Sequence, residues 1–245
     1  MLYIIRQTAY TLFSFCAFLA MAVELTVRGF FLITIGGATD EHKLRYHRLL
    51  QRRSRFAISH VPGTTFSYSN PSGETFEKPS VIISNHQSHL DLMGIMMLTP
   101  RMIILTKSWV WHNPFYGAVI RYADFFPVSD TEQMTAKLRG MVAKGYSVMI
   151  FPEGTRSADS RVQRFYRGAM YLAEQLSLDV VPVYISGFGT VLPKPSYHLH
   201  PGHMSVEVMP RIKRGEEPLA SGYQEATRAM HRRYVAKQQQ DSNSQ

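Results

Sequence analysis

The chain has 245 residues, 45% hydrophobic and 18% charged, which excludes global disorder and is enough material for one large folded domain. A formal net charge of +9 points to an anionic partner. No zinc-finger spacing, basic zipper or aromatic RNA-binding signature accompanies that charge, so nucleic acid is set aside, and the single cysteine, Cys16, excludes an intrachain disulfide and a cysteine metal cage.

Residues 1–37 stand apart. Positions 8–23 are uncharged and mostly apolar, Glu24 and Arg28 interrupt, and 29–37 is apolar again. The first run falls short of the roughly 20 residues of a spanning helix. Two short helices lying in the membrane interface fit the interruptions best. The alternatives are a spanning helix that tolerates Glu24, a helix pair packed on the domain itself, and a cleaved signal peptide whose start carries only Arg6. Residues 41–56 follow with six Lys or Arg against one acid. This segment reads as a solvated helix face that also suits anionic lipid head groups. Residues 61–79 hold turn clusters around a short strand.

From Ser80 short strands alternate with helices. Strands are predicted at 81–83, 102–105, 125–128, 147–151, 180–185 and 204–209. Helices are predicted at 88–98, 114–122, 131–144, 168–176 and 223–237. Pro114 suits a first helical position and Gly145 a helix end. The polar tail from Gln238 is expected to fray. The alternation predicts an α/β fold, with a mixed, largely parallel sheet flanked by helices and preceded by an apolar helical arm. The expected division is 1–56 for the arm and basic segment, 57–237 for the main domain, and 238–245 for the tail.

Two strand ends carry chemistry. Asn85-His86-Gln87-Ser88-His89-Leu90-Asp91 follows the strand at 81–83, and open α/β sheets bind ligands at strand carboxyl ends. An imidazole takes a proton from a hydroxyl near neutrality. A carboxylate on the other ring nitrogen fixes the tautomer and stabilises the imidazolium. Five residues along one helix turn about 500°. His86 therefore belongs in the turn and Asp91 in the first turn of the next helix, with Ser88 as its N-cap. Alternatively, Asp91 only supports a helix terminus and His86 is an ordinary loop histidine.

The second block is Phe151-Pro152-Glu153-Gly154-Thr155-Arg156-Ser157. Gly154 permits close backbone approach, and Arg156 offers a fork for phosphate oxygens. Glu153 either holds that arginine or bonds a substrate hydroxyl. A tight turn with a surface ion pair is the competing reading. Arg121, four residues before the strand at 125–128, is a second phosphate candidate. Pro182, inside a strand, implies an edge, a bulge or a strand end.

These four blocks, in this order, resemble the glycerolipid acyltransferase family, typified by lysophosphatidate (1-acylglycerol-3-phosphate) acyltransferases, over residues 65–212. The resemblance implies His86 as general base and Asp91 as its orienting acid. It places Arg121, Glu153, Gly154, Thr155 and Arg156 on a phosphorylated acceptor, and Pro182 in the fourth block. Downstream, the family often has Gly, Pro and Lys where this chain has Ser160, Arg164 and Tyr166, while Phe165, Arg167 and Gly168 fit. That departure leaves the acceptor open.

The implied reaction is direct acyl transfer from an acyl-CoA or acyl carrier protein thioester to a lysophospholipid hydroxyl. It needs no covalent acyl-enzyme, cofactor or metal. The implied partners are membrane lipids, at the cytoplasmic face of the inner membrane. Three readings compete: an acyltransferase of the same family with a non-glycerophosphate acceptor, a metal-dependent hydrolase using His86, His89 and Asp91, and a non-catalytic lipid-binding module.

Overall fold

Seven short runs, most of them apolar and β-branched, form one sheet. They are β1 (Thr64–Ser69), β2 (Ser80–Ser84), β3 (Met102–Thr106), β4 (Phe126–Pro127), β5 (Ser147–Ile150), β6 (Asp179–Ser186) and β7 (Gly202–Val208). The computed structural model describes residues 2–128, 132–194 and 196–243, and the strand order among them is β1-β7-β6-β2-β5-β3-β4. Every neighbouring pair is parallel except β6 with β7, as a mixed, largely parallel sheet requires.

Both faces of the sheet are covered, which is why its central strands read as unbroken apolar runs. Successive residues point to opposite faces. Ile82, Ile104, Met149 and Val181 join one core, with Leu25, Tyr46, Leu50 and Ile95. Val81, Ile103, Val148 and Val180 join the other, with Leu138, Met170, Met230 and Tyr234. The first core is roofed by α1 (Leu2–Gly29), α2 (Asp40–Ser59), α3 (Asp91–Met96), α4 (Ser108–Trp111), α5 (Gly117–Tyr122) and α8 (Phe188–Val191). The second is roofed by α6 (Glu132–Ala143), α7 (Gly168–Leu176) and α9 (Gly222–Asn243). Burying each such aliphatic side chain stabilises the fold by about 1.5–3 kcal/mol.

The N-terminal arm is one rod, not two short helices. α1 runs through Glu24 and Arg28 and continues in π-helical turns over Phe30–Ile35. The stretch Tyr3–Ile35 is long and apolar enough, by length and composition, to cross a membrane. Glu24 does not break it, because its carboxylate pairs with Arg28 one turn on and with Arg53 of α2. The rod lies along the domain for its whole length. Gln7 bonds His200, Thr11 accepts from the Leu199 N–H, Phe18 meets Tyr116 edge-on, and the Thr34 and Tyr122 hydroxyls pair. Its outer side leaves Leu12, Phe13, Phe15, Phe31 and Ile35 exposed. The boundary expected at residue 56 falls inside α2, and Leu25, Ile33, Tyr46 and Leu50 share one core with the sheet. The arm and the main domain are therefore packed as one unit.

Other local expectations are corrected. α3 begins only at Asp91 with Leu90 at its cap position, so Ser88 is not its cap; the Ser88 hydroxyl donates to the Leu192 carbonyl and accepts from the Leu90 N–H ahead of the helix. Residues 114–116 form a turn held by Asn113 Oδ1 on the Phe115 N–H, so α5 starts at Gly117. Thr131, the expected start of α6, lies outside the described residues. The tail is not frayed at Gln238, because α9 continues to Asn243. Pro182 is not on an edge, since β6 is flanked by β2 and β7. It lies at a bulge: between the Val183–Val208 pair and the Val180–Ile212 bridge, two residues of β6 face three of the opposite chain. A residue without an N–H fits such a break in the ladder.

Candidate active site

The topology brings the chemical blocks together. β2 and β5 are adjacent and parallel, with Ile83 opposite Ile150. Both therefore leave the sheet at the same edge, and His86 and Phe151 follow within three residues and one residue of those partners. β6 flanks β2 on its other side. The carboxyl ends of parallel strands are where such sheets bind ligands.

The turn after β2 fixes His86 from several directions. Its Nδ1 lies 2.7 Å from Asp91 Oδ2. The same oxygen accepts from the Gln87 N–H at 2.6 Å and the Ser88 N–H at 2.8 Å. A carboxylate oxygen that already accepts two N–H groups is an acceptor for the ring as well, so Nδ1 carries the proton and Nε2 the lone pair. No group among the described residues bonds Nε2, and the side chain is 18% exposed. The ring stacks on Phe151, with centroids 4.0 Å apart and planes 14° apart. Hydrogen bond and stack together fix both side-chain torsions. Asp91 is fully buried. Burial raises its pKa, and the His86 ring and the two N–H donors partly offset that rise.

Glu153 lies under this turn. It is 2% exposed, and its Oε1 accepts from the His86 main-chain N–H at 3.1 Å. Its Oε2 is buried without a partner. Desolvation pushes its pKa up to about 8, against the favourable main-chain N–H groups of His86 and Gln163 and with a further push from Asp91. It makes no ion pair with Arg156 among the described residues, so it braces the backbone of the histidine rather than the arginine.

Beyond Glu153 the chain turns at Gly154, whose φ of +65° lies in the region that favours glycine. Thr155 is exposed, and its hydroxyl bonds nothing among the described residues. Arg156 is half-buried and has no carboxylate partner among them. Its charge reaches Tyr116 and His89. The Ser157 N–H closes the loop onto the His86 carbonyl at 2.8 Å. Arg121 is held differently: its Nη1 donates to the Trp111 carbonyl at 2.9 Å and its guanidinium covers the Trp111 ring at 5.5 Å. Pro182 pairs in register with Ile83 and forms part of the floor rather than touching the histidine. Among the described residues, no three His, Cys, Asp or Glu side chains are grouped to hold a metal ion. His89 keeps part of its surface in solvent, and desolvation of the rest, with Arg156 and His86, lowers its pKa to about 4.

Some contributors escape sequence reasoning. Asn85 clamps β2 to β6, donating to the Ile185 carbonyl and accepting from its N–H, each at 2.9 Å. Gln87 donates to the Ser160 carbonyl at 3.0 Å. Tyr234 of α9 is fully buried; its hydroxyl accepts from the Val183 N–H and lies within bonding distance of the Ile83 and Val183 carbonyls. The one signal in the sequence was two amide side chains on either side of His86 after a buried strand.

A family model described as Acyltransferase matches residues 60–186. The chain is 32% identical over 128 residues to the chloroplastic 1-acyl-sn-glycerol-3-phosphate acyltransferase of Brassica napus, covering 50% of this chain and 36% of that protein. It is 31% identical over 157 residues to the human 1-acyl-sn-glycerol-3-phosphate acyltransferase beta, covering 61% and 56%. The chain thus spans between about a third and just over half of these relatives. The crystal structure of the 1-acyl-sn-glycerophosphate (LPA) acyltransferase PlsC from Thermotoga maritima shares the fold, with a TM-score of 0.76, 20% identity, and coverage of 97% of this chain and 98% of that one. The family model accounts for just over half of the residues, those that build the β2 and β5 loops, and the chain belongs to the glycerolipid acyltransferase family.

Proposed function

We propose that this chain transfers an acyl group from a thioester, on coenzyme A or acyl carrier protein, to the free hydroxyl of a lysophospholipid, 1-acylglycerol-3-phosphate. The observation that carries this is the His86–Asp91 pair, with Nδ1 engaged at 2.7 Å and Nε2 left without a partner among the described residues. Nε2 takes the acceptor's hydroxyl proton as the oxygen attacks the thioester carbonyl. Asp91 stabilises the resulting imidazolium. The tetrahedral species collapses, the C–S bond breaks, and the leaving thiolate takes the proton from His86. Arg156, without a carboxylate partner, supplies a fork for the acceptor's phosphate. Arg121, held against Trp111, is the second candidate cation.

The acceptor is a membrane lipid, and the apolar outer side of α1 suits the bilayer beside which it works. We place the enzyme on the cytoplasmic face of the inner membrane. A second reading, an acceptor without phosphate, rests on Tyr166, which is exposed against Gly154 where the family often carries a lysine.

The test is mass spectrometry of products from the purified chain with acyl-CoA or acyl carrier protein thioester and lysophosphatidate. Phosphatidate is the expected product. Thioester turnover only with phosphate-free acceptors would favour the second reading. No turnover with any hydroxylated lipid would sink both.

A further inference from the structure

Gln238 lies near the end of α9, yet its side-chain amide pairs with main chain on the far side of the sequence. Oε1 accepts from the Val162 N–H at 3.0 Å, and Nε2 donates to the Ser160 carbonyl at 2.9 Å. One amide thus meets a donor and an acceptor two residues apart, as a neighbouring strand would. Gln87, next to His86, donates to the same Ser160 carbonyl at 3.0 Å and accepts from the Gly189 N–H at 3.3 Å. Two side-chain amides from distant parts of the sequence converge on one carbonyl.

Ser160 is a residue that needs holding. Its φ is +62°, a left-handed conformation that costs a side-chain-bearing residue free energy. Its Oγ fills the space beside Gly189, where an added Cβ would lie only 2.1 Å away. Residues 157–166 form neither helix nor strand and leave directly from Arg156. The Ser157 N–H anchors their start to the His86 carbonyl, and the Tyr166 N–H anchors their end to Pro152. Between those points the loop is held by the two glutamine amides.

We propose that Gln238 is a positioning residue for the acceptor site. It fixes the loop behind Arg156, and the C-terminal helix is thereby part of how the acceptor is bound. This inference rests on the acceptor reading above. Gln238 acts through the loop, so it sets binding and leaves proton transfer at His86 alone.

The full-length chain and its Q238A and Q238E variants separate the two ideas. Amide exchange over residues 160–163 reads the clamp independently of any substrate, and faster exchange is expected in Q238A. With lysophosphatidate and the thioester that supports turnover, Q238A raises the acceptor KM about 5- to 20-fold, as loss of a paired polar contact does, while kcat and thioester KM stay within about twofold. Q238E keeps the acceptor for Val162 but loses the donor for Ser160, and falls between wild type and Q238A. Unchanged exchange, or faster exchange with an unchanged acceptor KM, overturns the proposal. A uniform loss in kcat and in both KM values also overturns it, as general destabilisation. A wild-type chain inactive on lysophosphatidate sinks the acceptor reading alone, and the exchange result then decides the clamp.

Discussion

The main-chain N–H of His86 donates to the Glu153 carboxyl at 3.1 Å. A buried acid in this position has a pH signature. Its folded pKa is raised from 4.5 to about 8. Between those values the folded chain keeps a proton that the unfolded chain has lost, so stability falls as pH rises through that window and levels off above it. Glu153→Gln keeps an oxygen for the His86 N–H and removes the ionisation. The expected outcome is a melting temperature near wild type at pH 5 and above wild type at pH 9, with kcat within about threefold. Glu153→Ala leaves the His86 N–H unsatisfied, at about 1–3 kcal/mol, and loses both stability and activity. Parallel pH-dependent melting curves for wild type and Glu153→Gln would rule out this account.

Asp91 is read by its charge. In Asp91→Asn an amide oxygen in the place of Oδ2 still accepts from His86 Nδ1 and from the Gln87 and Ser88 N–H groups, and the NH2 falls where Oδ1 is buried without a partner. The tautomer is kept, but the negative charge that stabilises the imidazolium is lost. Turnover is expected to fall by about 10²–10⁴-fold with little change in fold, as it does in His86→Ala. The double variant is expected to be no slower than His86→Ala, because the two side chains act as one unit. Thioester consumption with circular dichroism on each protein checks this; a kcat for Asp91→Asn near wild type contradicts it.

The legible parts of this fold were those written in local pattern. The runs at Val81–Ile83 and around Val181 were readable as buried strands because both faces of their sheet are covered. The placing of His86 in a turn and Asp91 on the next helix followed from helical pitch alone. What stayed hidden depends on partners distant in sequence. Glu24 looked like a helix break because Arg53, 29 residues away, supplies its counter-charge. Gln238 looked like a frayed tail because its partners lie 76 and 78 residues back. Glu153 looked like a substrate ligand because nothing local shows that it lies beneath a backbone. Pro182 implied an irregular strand, and only the neighbour β7 decides that the irregularity is a bulge.

The two arginines separate by their partners. Arg156 has no carboxylate partner among the described residues, whereas Arg121 is engaged with Trp111. Arg156→Ala is expected to raise the KM for lysophosphatidate roughly 10- to 100-fold, the cost of one charge-assisted contact. Arg121→Ala is expected to raise it clearly but less. Neither variant should discriminate against a monoacylglycerol, which lacks the phosphate. Steady-state kinetics with both acceptors give the comparison, and an equal penalty on both acceptors would contradict phosphate binding by these residues.

The outer side of the N-terminal rod is tested without touching its inner side. Phe13 and Phe31 are 63% and 62% exposed. Replacing both with glutamate is expected to cut binding to anionic vesicles by at least about tenfold, since each buried phenyl ring contributes about 1.5–3 kcal/mol. Circular dichroism should stay unchanged. Deleting residues 1–37 is a different experiment, because Ala22, Leu25 and Ile33 are buried against the domain. That deletion is expected to expose core surface and aggregate. A soluble, fully folded deletion product would show that the rod contributes little to the core.

Two glycines give opposite stability predictions from one substitution. Gly187 ends β6 with φ +78°, and a Cβ there would lie 1.8 Å from the His203 carbonyl oxygen of β7. That neighbour is main chain in a paired strand and has nowhere to go. Gly187→Ala is expected to lose about 2–5 kcal/mol, from left-handed strain plus overpacking. It also displaces α8, whose Gly189 N–H donates to Gln87, so activity should fall with stability. Gly140 lies inside α6 with open space around its would-be Cβ. Gly140→Ala is expected to gain about 0.4–1 kcal/mol by restricting the unfolded chain. Urea denaturation of both variants beside wild type reads the two signs in one series. A neutral Gly187→Ala would mean that β6 and β7 can move apart at the end where the active-site loops leave the sheet.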